Sequence, residues 1–410
     1  MMNPDYDILI VGGGMVGASL ALALRHSGLR LGVIEAVPYG AVAQPSYDDR
    51  SVALAYGSRR IYTGMGVWQR IEEGGVTPIR RIHVSDRGHF GGARLDSADM
   101  GVEAMGYVVE NRVLGAALMQ LLTTSENINF ISPAEMHDVE FTAHAAHVSV
   151  TQSGVTSKLS ARLLVAADGG RSAVRTRLGI ATTREDYAQC AVITNITLEH
   201  PHGGIAYERF TEHGPLALLP MSDQRCSVVW SLPPAAAERM LALSDAEFLQ
   251  QLHACFGDRL GAFVRAGRRH SYPLTRTRVA EPVRPRLVLI GNAAHTLHPV
   301  AGQGFNLGLR DVAALAQVLV DAQGAGSDIG DPAILQRYAA WRRRDNTAVS
   351  AFTDGLVRVF SNALPPVVMA RNLGLLLLDL LPPAKRGLMR RTMGLAGRLP
   401  RLARGLPLQS

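Results

Sequence analysis

Two segments of this chain share one local pattern: an apolar strand runs into a glycine turn, and the turn opens a helix. The first spans residues 5–36. Tyr6–Val11 reads as a strand, 12–17 as the turn, 18–27 as a helix stopped by Gly28, and Leu31–Ile34 as a second strand. That is one βαβ unit of about thirty residues. The second spans 288–311, where Val-Leu-Ile leads into Gly-Asn-Ala-Ala-His-Thr-Leu-His-Pro-Val-Ala-Gly-Gln-Gly and a helix follows Phe305. Gly302 and Gly304 leave no side chain between the backbone N–H groups and a flat ligand. The helix then aims its partly positive N-terminus at the same spot. Two halves of one nucleotide-binding domain separated by more than 200 residues require an insertion between them.

Composition sets the bounds. A chain of 410 residues can bury large cores and hold two domains, and its apolar fraction of 47% fits a globular protein. Cys190, Cys226 and Cys255 form no CxxC pair and have no His at ligand spacing, so neither a disulfide framework nor a metal site is expected. No basic leader with a cleavage site precedes the first strand, so no secretory signal is expected. The net charge of +7 is localised. Lys385, Arg386, Arg390, Arg391, Arg398, Arg401 and Arg404 follow the last acid, Asp379, and the other 35 basic residues balance the 35 acidic ones. A neutral body with a basic, leucine-rich tail points to anionic lipid or an acidic partner, and a solvated, partly disordered tail is the alternative. Nucleic acid is not expected, because no basic or aromatic stripe occurs elsewhere.

Helical spacing runs from 50 to 65, short strand-like pieces occupy 80–100, and Asn111–Thr123 has one apolar face. Strands alternate over 128–166. Between 183 and 270 the texture is β-rich, with strands at 191–198, 204–210, Gly214–Pro220 and 226–232. After Asp345 the chain reads as helical until Leu364-Pro365-Pro366. An apolar stretch at 367–381 is shorter than the roughly 20 residues a membrane span needs and carries Arg371, Asn372 and Asp379, so it reads as a packed or surface-lying helix.

Three signatures carry the chemistry. In Gly12-Gly13-Gly14-Met15-Val16-Gly17, Gly12 permits the tight turn, Gly14 lets backbone approach a pyrophosphate, and Gly17 lets helix and strand pack closely. Glu35 ends the next strand, where an acid can bind ribose hydroxyls. Residues 163–175 deliver Asp168, Gly169 and Gly170 from an apolar strand into a turn, with Ser172 and Arg175 beyond; an ordinary Asp-Gly turn is the bland alternative. The third is 288–311. Together, and in this order, they resemble the aromatic-ring flavoprotein hydroxylases, which usually have Gly-Asp where this chain has Gly291-Asn292. Asn still accepts and donates hydrogen bonds while a charge is lost. The variant, followed by Thr-Leu-His-Pro, resembles the ubiquinone-biosynthesis branch acting on 2-polyprenyl-6-methoxyphenol.

The resemblance implies an α/β fold with an α+β insertion: a Rossmann-like FAD-binding domain of the p-hydroxybenzoate-hydroxylase type, an inserted β-sheet substrate domain and a C-terminal helical region. The FAD domain is expected at 1–75, 101–182 and 271–345, substrate-domain strands at 76–100 and 183–270, and helices with a basic tail at 346–410. It implies FAD contacts from Gly12, Gly14, Gly17, Glu35, Arg50, Arg112, Asp168, Gly169, Gly291, Asn292, Pro299, Gly302, Gly304 and Asn306. Tyr207, Arg209, Leu218 and Pro220 would line the substrate, and His298 and Pro299 would position it. No metal is expected. NAD(P)H would reduce the flavin, a ring that becomes negatively charged on reduction, and O2 would then give a C4a-hydroperoxyflavin that hydroxylates the phenol to 2-polyprenyl-6-methoxy-1,4-benzoquinol. A sister hydroxylase acting at another ring carbon, a flavin-dependent prenyl reductase and a flavin-bound scaffold are the alternatives. A halogenase is disfavoured because Trp68, Trp230 and Trp341 stand isolated. The expected setting is cytoplasmic and peripheral to the inner membrane, with 382–404 on anionic lipid, a polyprenylphenol as substrate, and other ubiquinone-biosynthesis proteins as partners.

Overall fold

The computed structural model describes residues 4–40, 50–298, 300–360, 362 and 364–408. The apolar run ending in Val11 forms the strand Tyr6–Val11 at the centre of the first sheet. It pairs in parallel with Val155–Ala166 on one side, Ile8 opposite Leu163, and with Leu31–Ile34 on the other, Ile8 opposite Leu31. Leu287–Leu289 and Ile128–Ile131 extend the parallel set outward, giving the order 287–289, 155–166, 6–11, 31–34, 128–131. Central parallel strands are covered on both faces, which explains their unbroken apolar character. Ligands of such sheets bind beyond the carboxyl ends of the strands.

The first helix spans Met15–Ala23, three residues ahead of the sequence expectation, because Gly14 and not Gly17 is its N-cap. Gly17 lies inside it. A Cβ there would sit 1.9 Å from the Gly12 carbonyl oxygen, so glycine is required for the helix to pack on its own turn. Residues expected as one helix from 50 divide into the strand Ser51–Ala55 and the helix Tyr56–Gly64. The strand wins because Gly106–Glu110 offers it a partner, Val52 opposite Val109.

A second sheet is built from Thr182–Leu198, Arg225–Leu232, Gly214–Pro220, Ile205–Thr211, Arg81–Asp86 and Gly92–Asp96 in that order, flanked by His270–Val279. The strands expected at 80–100 thus join those of the later β-rich region. Two helices interrupt that region, Pro234–Ala242 and Asp245–Phe256. Their signal was present: Ser244 and Glu247 form a capping box. Phe248, Leu252 and Phe256 cover the outer sheet face over Trp230 and Val228. This architecture is the p-hydroxybenzoate-hydroxylase type of fold.

The C-terminal region is helical, as expected, and is packed. Pro332–Phe360 is one continuous helix, followed by Pro365–Leu380 and Pro382–Thr392, the last two bent by 97° at the Leu381-Pro382 break. No single helix among the described residues is long and apolar enough to cross a membrane. The basic tail is ordered on the body: Gly57 N–H donates to the Met393 carbonyl, and Met389 and Met393 pack with Leu95 and Met105. Leu402, Ala403 and Leu408 join the main core. Lys385 pairs with Asp99 and Asp379, and Arg401 with Asp321. Since Leu402 is buried, Leu402→Ala should cost about 3 kcal/mol in a urea melt. An unchanged midpoint would show that the tail is not part of the core.

Candidate active site

One cavity of 960 Å³ joins all three sequence signatures. Gly12, Gly14, Glu35, Asp168, Gly169, Gly291, Asn292, Gly302, Gly304 and Asn306 line it. The Met15–Ala23 helix begins at Gly14 with no side-chain cap, so its first N–H groups remain available to an anion. Glu35 is fixed by two backbone donors, Gly13 N–H at 2.7 Å and Val37 N–H at 2.9 Å. A carboxylate has lone pairs beyond these for ribose hydroxyls. Asp168 accepts from Val174 N–H at 3.1 Å through Oδ2, while its Oδ1 is buried and has no partner among the described residues. Ser172 caps the short helix Ala173–Arg177, and Arg175 donates to the Gly170 and Ala293 carbonyls, tying the second signature to the third.

The third signature is a bridge. Leu287–Leu289 belongs to the first sheet, whereas His295–Thr296 pairs with Thr277 and Arg278 of the second. Gly302, in left-handed backbone at φ +60°, then caps the Gln303–Gly324 helix, which starts three residues earlier than expected. The helix presents its positive end to the cavity without a capping side chain. Asp311 on this helix is fully buried. It accepts from His295 Nε2 at 2.7 Å, Gly291 N–H at 3.2 Å and Arg342 Nε at 2.7 Å. Burial alone would push its carboxyl up. His295 and Arg342 outweigh that and hold it well below the usual carboxylate range.

Several expected residues stand elsewhere or act differently. Gly17 packs against Gly12 and is not on the cavity wall. Arg50 lies over the Tyr272 ring, and Arg112 pairs with Glu110 at 2.7 Å; neither borders the cavity. Asn306 does border it, yet its amide is consumed: Oδ1 accepts from Ala55 N–H and Ser58 Oγ, and Nδ2 donates to the Ala53 and Gly302 carbonyls. It staples the helix start to the 51–58 segment. Pro299 lies outside the described residues. His298 is buried, accepts from Val300 N–H through Nδ1 and sits 3.3 Å from Gln189 Oε1 through Nε2. Burial pushes its imidazole down to about 4, so it is neutral at pH 7 and orders the turn.

The substrate-side wall follows strand alternation. On Ile205–Thr211 the residues Ala206, Glu208 and Phe210 border the cavity, and on Gly214–Pro220 Ala217 and Leu219 do. Val84, Ile193 and Val229 continue this face. Tyr207 touches the cavity but packs mainly in the outer core with Leu218; Arg209 donates to the Cys255 carbonyl there. Leu218 and Pro220 are also off the cavity wall. Alternation pairs 207 with 209 and 208 with 210, but only the sheet's placement says which pair faces inward. Phe352, Leu356, Phe360, Leu375, Leu378 and Leu388 close the far side. The result has two characters: backbone N–H groups and carboxylates at one end, apolar side chains at the other. The polar end, with its orphaned Asp168 oxygen, fits a dinucleotide such as FAD.

The model of the FAD binding domain family matches residues 5–353. The chain is 40% identical to ubiquinone hydroxylase UbiL of Rhodospirillum rubrum, across 98% of this chain and 93% of that protein. It is 35% identical to 3-demethoxyubiquinol 3-hydroxylase of Escherichia coli K12, across 96% and 100%. The crystal structure of p-nitrophenol 4-monooxygenase PnpA from Pseudomonas putida superposes with a TM-score of 0.80 at 19% identity, covering 97% of this chain and 100% of that one, a likeness of fold. Asp168→Ala removes a buried carboxylate oxygen that borders the cavity and has no partner among the described residues. It should weaken FAD binding by about 1.5–3 kcal/mol, roughly ten- to a hundredfold, read by quenching of FAD fluorescence. Unchanged affinity would remove Asp168 from the cofactor strip.

Proposed function

The chain belongs to the FAD-binding-domain family of flavin-dependent hydroxylases that includes ubiquinone-biosynthesis enzymes, and on that premise we propose that it hydroxylates 2-polyprenyl-6-methoxyphenol to 2-polyprenyl-6-methoxy-1,4-benzoquinol. One observation carries this reading: a single cavity runs from the glycine turns to an apolar wall formed jointly by the second sheet and the C-terminal helices. An electron-rich ring with a long apolar substituent suits such a space. The Gly291-Asn292 pair within an otherwise complete hydroxylase pattern supports the choice of branch.

Bound FAD supplies the redox chemistry, accepting a hydride from NAD(P)H and activating O2 for transfer of one oxygen atom. The protein binds and orients. The Met15–Ala23 helix N-terminus would take the pyrophosphate, with Glu35 on the ribose hydroxyls and Asp168 on the flavin's polyhydroxyl chain. The start of the Gln303–Gly324 helix would stabilise negative charge on the reduced ring. Ile82, Val84, Ala217 and Leu219 would exclude water from the reacting face. The test is product mass from the FAD-loaded protein with NADPH, O2 and a short-chain 2-prenyl-6-methoxyphenol. A product one oxygen heavier, hydroxylated para to the phenol by NMR, is expected. Oxygenation at another ring carbon would assign a sister reaction, and reduction without oxygen would refute the hydroxylase reading of this substrate.

A lipid substrate also needs a route from a membrane, and the C-terminal helices supply a docking face. On Pro365–Leu380, Leu375 and Leu378 border the cavity, while Met369, Leu373, Leu376, Leu377 and Leu380 are exposed. Arg386, Arg390 and Arg391 are exposed on the adjoining helix. Leucines flanked by cations match an anionic lipid surface, each cation near the surface contributing about 1 kcal/mol. Replacing the three arginines with glutamine should weaken binding to phosphatidylglycerol vesicles roughly a hundredfold, and salt should weaken the unaltered protein. Salt-insensitive binding, equal in both proteins, would contradict this docking mode.

A further inference from the structure

Glu208 is the one acid on the apolar wall. Its neighbours across the sheet are Val84 in the parallel strand and Ala217 in the antiparallel one. Along its own strand, Ala206 packs in a cluster with Ala53, beside the cofactor strip, and Phe210 packs in a cluster with Val300 of the third signature. The carboxyl therefore stands between the two segments that border the flavin side of the cavity. Among the described residues it has no hydrogen-bond or ion-pair partner. The other charged side chains bordering the cavity are Glu35, Glu135, Asp168 and Arg171, from elements around the first two glycine turns. The flanking strands turn only Ile82, Val84, Ala217 and Leu219 toward Glu208's side; the helices opposite contribute Phe352, Leu356 and Phe360. No charge from these packed elements offsets it, and burial alone pushes the carboxyl up to about 7.

A half-buried carboxyl set in an apolar wall without a protein partner is costly unless a ligand completes it. We propose that Glu208 is the substrate-contacting base: its carboxylate accepts the hydrogen bond of the phenolic O–H and takes that proton as oxygen is transferred to the ring. This inference rests on the phenol-hydroxylase reading above. As the O–H bond breaks, its electron pair stays on the phenolic oxygen and feeds the para carbon. That carbon forms its new C–O bond with an oxygen atom derived from O2, the second atom leaving as water at the expense of NAD(P)H. The ring then loses its C–H proton to solvent, and Glu208 returns its proton to the phenolic oxygen to give the quinol. With a carboxyl half-ionised near neutrality, the proton-accepting form grows as pH rises through about 7.

The test uses FAD-loaded protein and two probes, a short-chain 2-prenyl-6-methoxyphenol and its O-methyl ether, titrated by the flavin absorbance change from pH 5.5 to 8.5. The unaltered protein should prefer the phenol over the ether at least tenfold above pH 7 and lose preference below it. Glu208→Ala should bind both probes equally. Glu208→Gln, which keeps shape and an acceptor but cannot take a proton, should oxygenate at least tenfold fewer phenols per NAD(P)H consumed and lose the inflection near pH 7. Equal affinity of the unaltered protein for phenol and ether overturns the assignment. So does a Glu208→Gln protein with unchanged coupling and pH profile. Should no protein oxygenate the phenol while the phenol preference still depends on Glu208, the substrate reading fails and the binding role stands.

Discussion

The arrangement depends on the buried carboxylate of Asp311. Residues 287–302 belong to both sheets: they begin as a strand of the first, pair with the second at His295–Thr296, and end at the cap of a long helix. A segment with so little regular structure would wander without a central tie. Asp311 supplies it by joining Gly291, His295 and Arg342, the last on the Pro332–Phe360 helix. Arg342 also pairs with Asp345, which in turn holds Arg310 at 2.9 Å. A buried acid with a full set of partners is stable, and removing one partner of such a set typically costs about 3–5 kcal/mol. Here the tie holds Gly291, just after the strand paired with the first sheet, and His295, in the strand paired with the second, against the Gln303–Gly324 and Pro332–Phe360 helices.

The cavity works by contrast. Its cofactor end is made of main chain, because glycine turns and helix starts expose N–H groups that large side chains would cover. Its far end is made of side chains from alternate strand positions and from helices that arrive last in the chain. The same Pro365–Leu380 helix faces the cavity with Leu375 and the outside with Leu377 and Leu380. One helix thereby borders the cavity on one side and presents exposed leucines on the other. Glu208 breaks the apolar pattern of the wall at a single point, between Ala206 and Phe210, and gives it polarity where ring and flavin would meet.

The glycine turns were legible because their meaning is local. A strand, a turn and a helix start are written in consecutive residues, and Glu35 and Asp168 follow from them. What depends on placement was not legible. Period-two alternation in 205–211 separates Tyr207 and Arg209 from Glu208 and Phe210 without saying which pair faces inward. Asn306 looks like a ligand group in sequence, but the distant carbonyl of Ala53 and hydroxyl of Ser58 absorb its amide. Arg112 looks available until Glu110 is placed beside it. The tail reads as an accessory charge run because nothing local reveals that Leu402 and Leu408 reach the main core.

The most direct test of the account is whether ring and flavin share this cavity. Titrating the FAD-loaded protein with a short-chain 2-prenyl-6-methoxyphenol, and following binding by calorimetry and by flavin absorbance together, decides it. The account predicts that both signals saturate at the same concentration, since the apolar wall and the glycine turns border one space. Calorimetric binding with an unmoved flavin spectrum would place the phenol elsewhere and contradict the central claim.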